Sequence, residues 1–251
     1  MDRLESDAIR VPGVAARVVE RCSSTNDVLM AEGEPDVLLV AEEQAAGRGR
    51  RGRRWHAARG TGLTFSLSTR TRRPLAELAG LSLVAGVGVA RALRTLGVAQ
   101  VALKWPNDLV VGPAKLGGIL VETRGNASGA FAVIGIGLNC RADPALERRL
   151  RRRLAALESF IAIDRNALAS RIGCSLREAL GAFEVAGLAP FRAEWEAMHA
   201  HAGSRMRVRL ADGRVVTGVA RGLDEDGGLR LENRHGVRAV RSGRVLSARP
   251  A

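Results

Sequence analysis

Residues 101–138 read VALKWPNDLVVGPAKLGGILVETRGNASGAFAVIGIGL, and this stretch predicts several neighbouring β-strands. Apolar side chains alternate with other residues over 101–105, as in a strand with one buried face. Pro106 and the Asn-Asp pair after it favour a turn, so this strand ends there. The next apolar runs cover residues 109–111, 116–123 and 130–138, and the turn-forming RGNASG separates the last two. Such a succession of strands favours a mixed, largely antiparallel sheet.

The chain before this stretch predicts alternating helices and strands. SSTND at residues 23–27 is typical of a helix start, because Ser24 is followed three residues later by an acid. Residues 37–41 and 61–68 are expected to be strands, the second because TGLTFSLS alternates strictly. Leucine, valine and alanine at three- and four-residue spacing over 78–96 predict a long helix.

The last 109 residues divide into two patterns. Residues 143–202 read as helical, including PALERRLRRRLAALES at 144–159, whose arginines we expect on a solvated helix face. After Gly203 the chain changes to short alternating runs broken by Asp-Gly and Gly-Gly turns, which predict a small β-barrel. We therefore predict an α+β protein with a larger domain at 1–202 and an all-β domain at 203–251.

Composition excludes several classes of protein. A chain of 251 residues with 46% hydrophobic content can bury a sizeable core. Its apolar runs are shorter than the ~20 residues that span a bilayer, and the acidic start does not resemble a signal peptide, so we expect a cytoplasmic protein without membrane contact. The cysteines Cys22, Cys140 and Cys174 are odd in number and widely spaced, which favours neither disulfides nor a zinc site.

The charge of the chain allows more than one interpretation. A net charge of +13 is consistent with nucleic-acid binding, but the arginines are spread over the whole chain, as on a solvated surface. Only two lysines occur, Lys104 and Lys115. Where arginine is otherwise used throughout, a lysine can mark a position that needs a compact, titratable ammonium group. Chance placement is the alternative.

Residues 47–55, GRGRRGRRW, form the most basic segment. They satisfy GxGxxG, but a strand follows where a dinucleotide site needs a helix, and the GK[ST] ending of a phosphate-binding P-loop is missing. Glycines still let backbone N–H groups approach an anion, and guanidinium groups bind phosphate oxygens in pairs. A disordered RGG-like arm is the alternative, disfavoured because the loop is short and lies between two strands.

Four motifs occur in a fixed order: SSTND, AEEQAAGRGRRGRRW, KWPNDLVVGPAKLGGILVE and IGIGLN. Together they resemble the catalytic domain of biotin–protein ligases, and the resemblance covers the chain from about residue 21 to its end. It implies a catalytic domain like those of class II aminoacyl-tRNA synthetases and biotin ligases, followed by an SH3-like barrel. It also implies formation of biotinyl-5′-AMP and pyrophosphate from biotin and ATP. Biotin would then pass to one lysine of a biotin carboxyl carrier protein, a subunit of acetyl-CoA carboxylase.

The resemblance also implies roles for individual residues. Lys115, Arg50 and Asp108 are the expected catalytic residues, with Asp108 orienting or deprotonating the acceptor lysine or, alternatively, serving only as a structural cap. The expected biotin-binding residues are Ser24, Thr25, Asn26, Gln44, Arg48, Gly49, Arg50, Lys115 and Gly118. The expected ATP- and adenylate-binding residues are Arg48, Arg50, Arg51, Arg53, Trp55, Lys104, Asn107, Lys115 and Asn139.

Partners and alternatives follow from the same comparison of motifs. ATP should arrive with Mg²⁺, and we expect no metal ligands among the protein side chains. Only about 22 residues precede SSTND, too few for the winged helix-turn-helix of bifunctional relatives, so we expect no DNA binding.

A homodimer through an exposed sheet edge is possible. A lipoate–protein ligase and an arginine-rich nucleic-acid-binding protein are the two competing interpretations. Trp105 is expected either in the core or stacked on adenine, and His56 on the surface.

Overall fold

A computed structural model describes residues 2–251 as twelve strands, five α-helices and four short 3₁₀ helices. The strands are β1 (Ala15–Cys22), β2 (Val37–Gln44), β3 (Gly62–Thr71), β4 (Val101–Lys104), β5 (Asp108–Val111), β6 (Ala114–Asn126), β7 (Gly129–Asn139), β8 (Arg205–Arg209), β9 (Val215–Leu223), β10 (Leu229–Asn233), β11 (Gly236–Val240) and β12 (Arg244–Arg249). The α-helices are α1 (Thr25–Glu32), α2 (Leu81–Thr95), α3 (Pro144–Leu150), α4 (Arg165–Ala186) and α5 (Ala189–Ala197).

The first seven strands form one mixed sheet in the order β1-β2-β3-β7-β6-β5-β4. Only the β1–β2 pair is parallel among the described strands, and each other neighbouring pair is antiparallel. The expected mixed, largely antiparallel sheet is therefore confirmed. Strand β1 was not predicted from the sequence, because AARVVERC alternates poorly and leaves the strand half exposed at the sheet edge.

Helix α2 covers one face of this sheet and is almost entirely buried. Two glycines permit its close packing: Gly86 faces Leu103 and Ile119 of the sheet, and a Cβ at Gly88 would lie 3.2 Å from the Ser175 carbonyl oxygen on α4. Helices α4 and α5 both pack against α2, and α4 also contacts β3 of the sheet. No helix in the part of the chain described is long and apolar enough to cross a membrane.

The last five strands form a second, antiparallel sheet in the order β11-β10-β9-β8-β12. Alternation of buried and exposed side chains explains why this sheet has one apolar face. In β8, Met206 and Val208 are buried, whereas the three arginines that alternate with them are exposed. The SH3-like arrangement is thus present as an open sheet with β11 and β12 at its two edges. Its apolar face joins the same core as α2, and the indole Nε1 of Trp105 donates to the Gly227 carbonyl oxygen at 3.2 Å.

The prediction of continuous helix over PALERRLRRRLAALES was wrong. Helix α3 ends at Leu150, and Arg151 adopts a left-handed conformation with φ of 50°. The chain then runs beside β6, where the Lys115 N–H donates to the Arg153 carbonyl oxygen at 3.1 Å and the Ala155 N–H donates to the Lys115 carbonyl oxygen at 2.9 Å. These bonds to the sheet replace the next helical turn, a tertiary effect that periodicity does not reveal.

Candidate active site

A cleft of about 280 Å³ opens above the middle of the seven-stranded sheet. Its walls are the start of α1, the arginine loop (residues 47–55), the β4–β5 turn, the segment after α3 and the start of β12. Every residue that the sequence singled out for the site lines this cleft: Ser24, Thr25, Asn26, Gln44, Arg48, Gly49, Arg50, Arg51, Arg53, Trp55, Lys104, Asn107, Asp108, Lys115, Gly118 and Asn139.

The first turn of α1 is held in place by a buried polar network. Gln44 Oε1 accepts from the Thr25 backbone N–H at 2.7 Å and lies 3.1 Å from the Thr25 hydroxyl. The Ser66 hydroxyl lies 2.7 Å from Thr25 Oγ1 and 2.6 Å from Asn26 Oδ1. The amide group of Asn26 lies directly over Gly135, where the Cβ atom of any other residue would overlap that amide. Because the polar groups of this network form hydrogen bonds with one another, the first turn of α1 is held in one arrangement before a ligand binds.

Ser24 is the N-cap residue of α1, as the motif predicted, but its hydroxyl makes no capping hydrogen bond. The residue is only 3% exposed and faces the cleft. An N-cap hydroxyl that does not bond the helix remains available to a ligand at the helix N-terminus.

Lys115 and Asp108 form an ion pair in the cleft. Their side chains are 16% and 25% exposed, and a Cβ at Gly118 would already lie 3.1 Å from Lys115 Nζ. Burial lowers the pKa of Lys115, and the Asp108 carboxylate opposes this effect. The site therefore contains a lysine–aspartate ion pair with restricted access to water.

The arginine loop crosses the cleft as a tight turn. The Gly49 N–H donates to the Arg53 carbonyl oxygen at 2.7 Å, and the Trp55 N–H donates to the Gly47 carbonyl oxygen at 2.9 Å. Arg51 has φ of 59° and its guanidinium lies 3.2 Å from the Ser242 hydroxyl, so the loop reaches the second sheet. Burial and the neighbouring Arg51 charge lower the pKa of Arg50, and Asp108 opposes them.

Trp55 closes the inner end of the loop by packing on the sheet at Gly137. Lys115 Nζ lies 5.8 Å from the centre of its ring, within the range of a cation–π contact. The indole Nε1 is buried and has no hydrogen-bond partner within residues 2–251. A buried N–H without an acceptor is costly, which favours a ligand oxygen at this position.

Asn107 and Asn139, the two asparagines predicted to bind the nucleotide, both bond the main chain of β6. Asn139 Nδ2 donates to the carbonyl oxygens of Lys115 and Ala155, both at 3.1 Å, and Asn107 Nδ2 donates to the Ile119 carbonyl oxygen at 2.7 Å. The amide N–H groups of both asparagines therefore hold the main chain that surrounds the cleft. Trp105 is 2% exposed and packs in the core, and it also lines the cleft, so its contact with adenine stays a prediction.

Several residues of the site were missed by the sequence analysis. Asp27 and Glu122 both pair with Arg48, Ser66 completes the network at α1, and Arg152 approaches Asp108 from the segment after α3. A signal existed for Ser66 and Glu122, because each is a polar residue within a strand of the central sheet. Nothing in the sequence pointed to Arg152, because the helix predicted over residues 144–159 would have placed this arginine on a solvated face. His56, expected on the surface, also lines the cleft and is half-buried.

The arrangement suits an anionic ligand with an apolar part. Cationic side chains form the outer walls, whereas Phe65, Ile119 and Ile136 contribute apolar surface deeper in the cleft. Within residues 2–251 no three histidine, cysteine or acidic side chains cluster as metal ligands would. The geometry fits a molecule with both a small uncharged body and phosphate groups.

Comparisons with known proteins agree with this geometry. Residues 18–139 match the model of the Biotin/lipoate A/B protein ligase family, and residues 201–246 match the Biotin protein ligase C terminal domain. The Bifunctional ligase/repressor BirA of Escherichia coli is 38% identical over 228 residues, which cover 89% of this chain and 71% of that protein.

Two further relatives match over most of both chains. The Biotin--[acetyl-CoA-carboxylase] ligase of Mycobacterium tuberculosis is 34% identical over 241 residues, covering 92% of this chain and 88% of the relative. The biotin protein ligase from Aquifex aeolicus, solved in complex with biotin and ATP, superposes with a TM-score of 0.78 at 27% identity. That alignment covers 94% of this chain and 99% of the Aquifex chain.

Proposed function

The chain belongs to the biotin/lipoate A/B protein ligase family, and on this premise we propose that it activates biotin with ATP and transfers it to a lysine of a carrier protein. In the first step a carboxylate oxygen of biotin attacks the α-phosphorus of ATP, and pyrophosphate leaves. In the second step the acceptor amine attacks the acyl carbon of biotinyl-5′-AMP, and AMP leaves with the anhydride oxygen.

The observation that carries this proposal is that one cleft brings Lys115 together with two differently built sets of residues. One set is the polar turn of α1 with the apolar wall, and the other is the arginine loop. The polar turn suits an uncharged ureido head, and the apolar wall suits the ring and chain of biotin. The arginines suit the phosphates, so the carboxylate and the α-phosphate would meet beside Lys115.

Electrostatic stabilisation explains why cations surround this point. A carboxylate and a triphosphate repel one another, and further negative charge develops on the phosphoryl oxygens as they react. Lys115 and Arg50, in a partly dehydrated cleft, offset that repulsion with charges that are already in position. Mg²⁺ would enter bound to the triphosphate, because the described cleft offers the ion carboxylates only in ion pairs with lysine or arginine.

Asp108 is suited to the second step. Its carboxylate lies beside Lys115 and lines the cleft, where it would orient the incoming acceptor amine or accept its proton. The acceptor is proposed to be the biotin carboxyl carrier protein of acetyl-CoA carboxylase, because the Mycobacterium relative is named as a ligase for that enzyme.

Pyrophosphate exchange tests the first step. The purified chain should exchange labelled pyrophosphate into ATP when biotin is present and not when lipoate replaces it. Exchange with lipoate alone would assign the chain to the lipoate branch of the family. Mass analysis of a carrier domain after incubation with biotin and ATP tests the second step, since one lysine should gain a biotinyl group. Salt-sensitive nucleic-acid binding with no exchange for either acid would contradict the proposal.

A further inference from the structure

Glu122 on β6 contacts two parts of the cleft that the proposed function assigns to different substrates. Its Oε2 accepts from Asn26 Nδ2 at 2.8 Å, on the turn proposed to bind biotin. Both carboxylate oxygens accept from Arg48 Nη2, at 2.8 and 2.7 Å, in the loop proposed to bind the nucleotide. The Glu122 side chain is only 26% exposed, so the contacts are shielded in part from solvent.

Asp27 adds a second connection to the same guanidinium. It follows Asn26 directly in α1 and forms an ion pair with Arg48 Nη2. The side chains of Arg48 and Asp27 are 42% and 41% exposed, so solvent weakens this pair more than the one with Glu122. Asp27 therefore holds Arg48 without bonding the Asn26 side chain, whereas Glu122 bonds both.

The geometry leaves one edge of Arg48 free for a ligand. Its contacts with Asp27 and Glu122 all use Nη2, while Nε and Nη1 have no carboxylate partner in the described chain. Because a guanidinium group is planar and rigid, fixing one corner restricts where its other donors point. Arg48 also lines the cleft, so the restricted donors lie where a phosphate would be recognised.

We propose that Glu122 is a positioning residue that couples biotin binding to nucleotide binding through Asn26 and Arg48, an inference that rests on the proposed function. Asn26 is already held by Ser66, the Leu120 carbonyl oxygen and Glu122. Biotin that contacts this arrangement stabilises it, and the shared carboxylate then holds Arg48 in the conformation that presents its free donors to phosphate. Coupling of this kind is reciprocal, so a bound nucleotide must raise the affinity for biotin by the same factor.

Titration calorimetry of the full chain with biotin tests the coupling, in the absence and presence of an ATP analogue whose α–β bridge cannot be cleaved. For the unaltered chain we expect the analogue to tighten biotin binding about 5-fold or more. Glu122→Gln keeps an acceptor for Asn26 but loses the charge that holds Arg48. Without the analogue, the affinity of this variant for biotin should lie within about twofold of that of the unaltered chain. Most of the increase in biotin affinity that the analogue causes should be lost.

Two further variants separate this role from general damage. Asp27→Asn should lose only part of the increase in biotin affinity that the analogue causes, because Glu122 still holds Arg48. Glu43→Gln removes a surface carboxylate that pairs with Arg21 at 3.4 Å, and it should retain the full gain. Unfolding temperatures of the three variants should agree with that of the unaltered chain, since the affected ion pairs are partly exposed.

Three results would overturn the inference. Glu122→Gln could retain the whole gain, or it could lose biotin binding equally with and without the analogue. An analogue that leaves biotin affinity unchanged in the unaltered chain would show that no coupling exists, while the proposed function would stand. Failure of the unaltered chain to bind biotin at all would instead contradict the proposed function itself.

Discussion

Lys115 and Asp108 lie on adjacent strands and neutralise one another within the cleft, with both side chains largely buried. Burial alone would favour loss of the Lys115 proton, and the carboxylate counters that tendency. Asp108 therefore favours the charged form of Lys115 and limits the fall in its pKa that burial causes. The value of Lys115 to the proposed reaction depends on that charge, which leads to two predictions.

Lys115→Ala should lower the rate of biotinyl-5′-AMP formation by about 10²–10³-fold, the effect of losing one preorganised electrostatic contact. Single-turnover formation of the adenylate from biotin and ATP measures this step without the acceptor. The unfolding temperature should fall somewhat, because Asp108 is left without its partner in a largely buried position. A rate equal to that of the unaltered chain would remove Lys115 from the proposed mechanism.

Asp108→Asn should move the alkaline limit of adenylate formation to lower pH. The carboxylate raises the pKa of Lys115, so removing it lowers that pKa, and the charged form is lost at a lower pH. Pyrophosphate exchange measured across the alkaline range gives the limit for both proteins. Asp212→Asn, at an exposed aspartate paired with Arg214, is the matched control and should leave the limit unchanged. An unchanged limit in Asp108→Asn would show that another group sets it.

Gly137→Ala should displace Trp55 and weaken retention of the adenylate. A Cβ at Gly137 would overlap the indole ring, so the inner end of the arginine loop must shift. The rate of biotinyl-5′-AMP release should rise, while biotin affinity in the absence of nucleotide should change less. Gly181→Ala is a suitable control, because its added methyl group meets no atom within 4 Å and lies in helix α4. Adenylate release unaltered by Gly137→Ala would argue that the indole position is unimportant.

The sequence predicted the sheet and the set of cleft residues better than it predicted their individual contacts. Strict alternation over β3 and strong apolar runs in β6 and β7 were sufficient for the strands, since each buries at least one face. The motifs were sufficient to place Ser24, Lys115 and the arginine loop in one cleft.

Contacts between distant segments could not be predicted in the same way. The pairing of residues 153–155 with Lys115 depends on backbone bonds across about 40 positions of sequence, and local helical periodicity gave the opposite expectation. The link from Glu122 to Arg48 likewise spans 74 positions. The division of the chain at residue 203 stays a prediction, because the second sheet shares its core with α2.

The arginine loop should be protected from trypsin by biotin with ATP. Arg51, Arg53 and Arg54 are exposed and carry like charges close together, a repulsion that bound phosphates would relieve. Cleavage after these residues, followed by mass spectrometry, should slow several-fold when both ligands are present. Cleavage after Arg234, in the exposed turn between β10 and β11, supplies an internal control that should not change. Equal protection with biotin alone would assign the effect to biotin, and no protection would contradict closure of the loop.

Glu42→Gln should destabilise the fold, because it removes one of the two carboxylates that pair with the buried guanidinium of Arg165, the other being that of Asp2. Glu42 accepts two bonds from Arg165, at 2.8 and 3.0 Å, and a third from the Leu4 N–H at 3.1 Å. Because Asp2 still pairs with Arg165, we expect a loss of about 1.5–3 kcal/mol, the contribution of a hydrogen bond to a charged group. For a chain of this size that corresponds to a fall of roughly 3–12 °C in unfolding temperature. Glu34→Gln, at an exposed acid outside the described ion pairs, should have little effect.

The same pair should give the stability a defined dependence on pH. Burial acts to raise the pKa of Glu42, but the bonds from Arg165 and Leu4 outweigh it and lower the pKa below its usual value. The stabilisation is therefore complete above the unfolded pKa of about 4.3 and is lost as the pH falls through the lower, folded value. Urea unfolding from pH 3 to 6 should show a rise of stability with pH that is shallower in Glu42→Gln. Parallel curves for the two proteins would mean that Glu42 titrates alike in the folded and unfolded chains, and the buried pair would then not contribute to acid sensitivity.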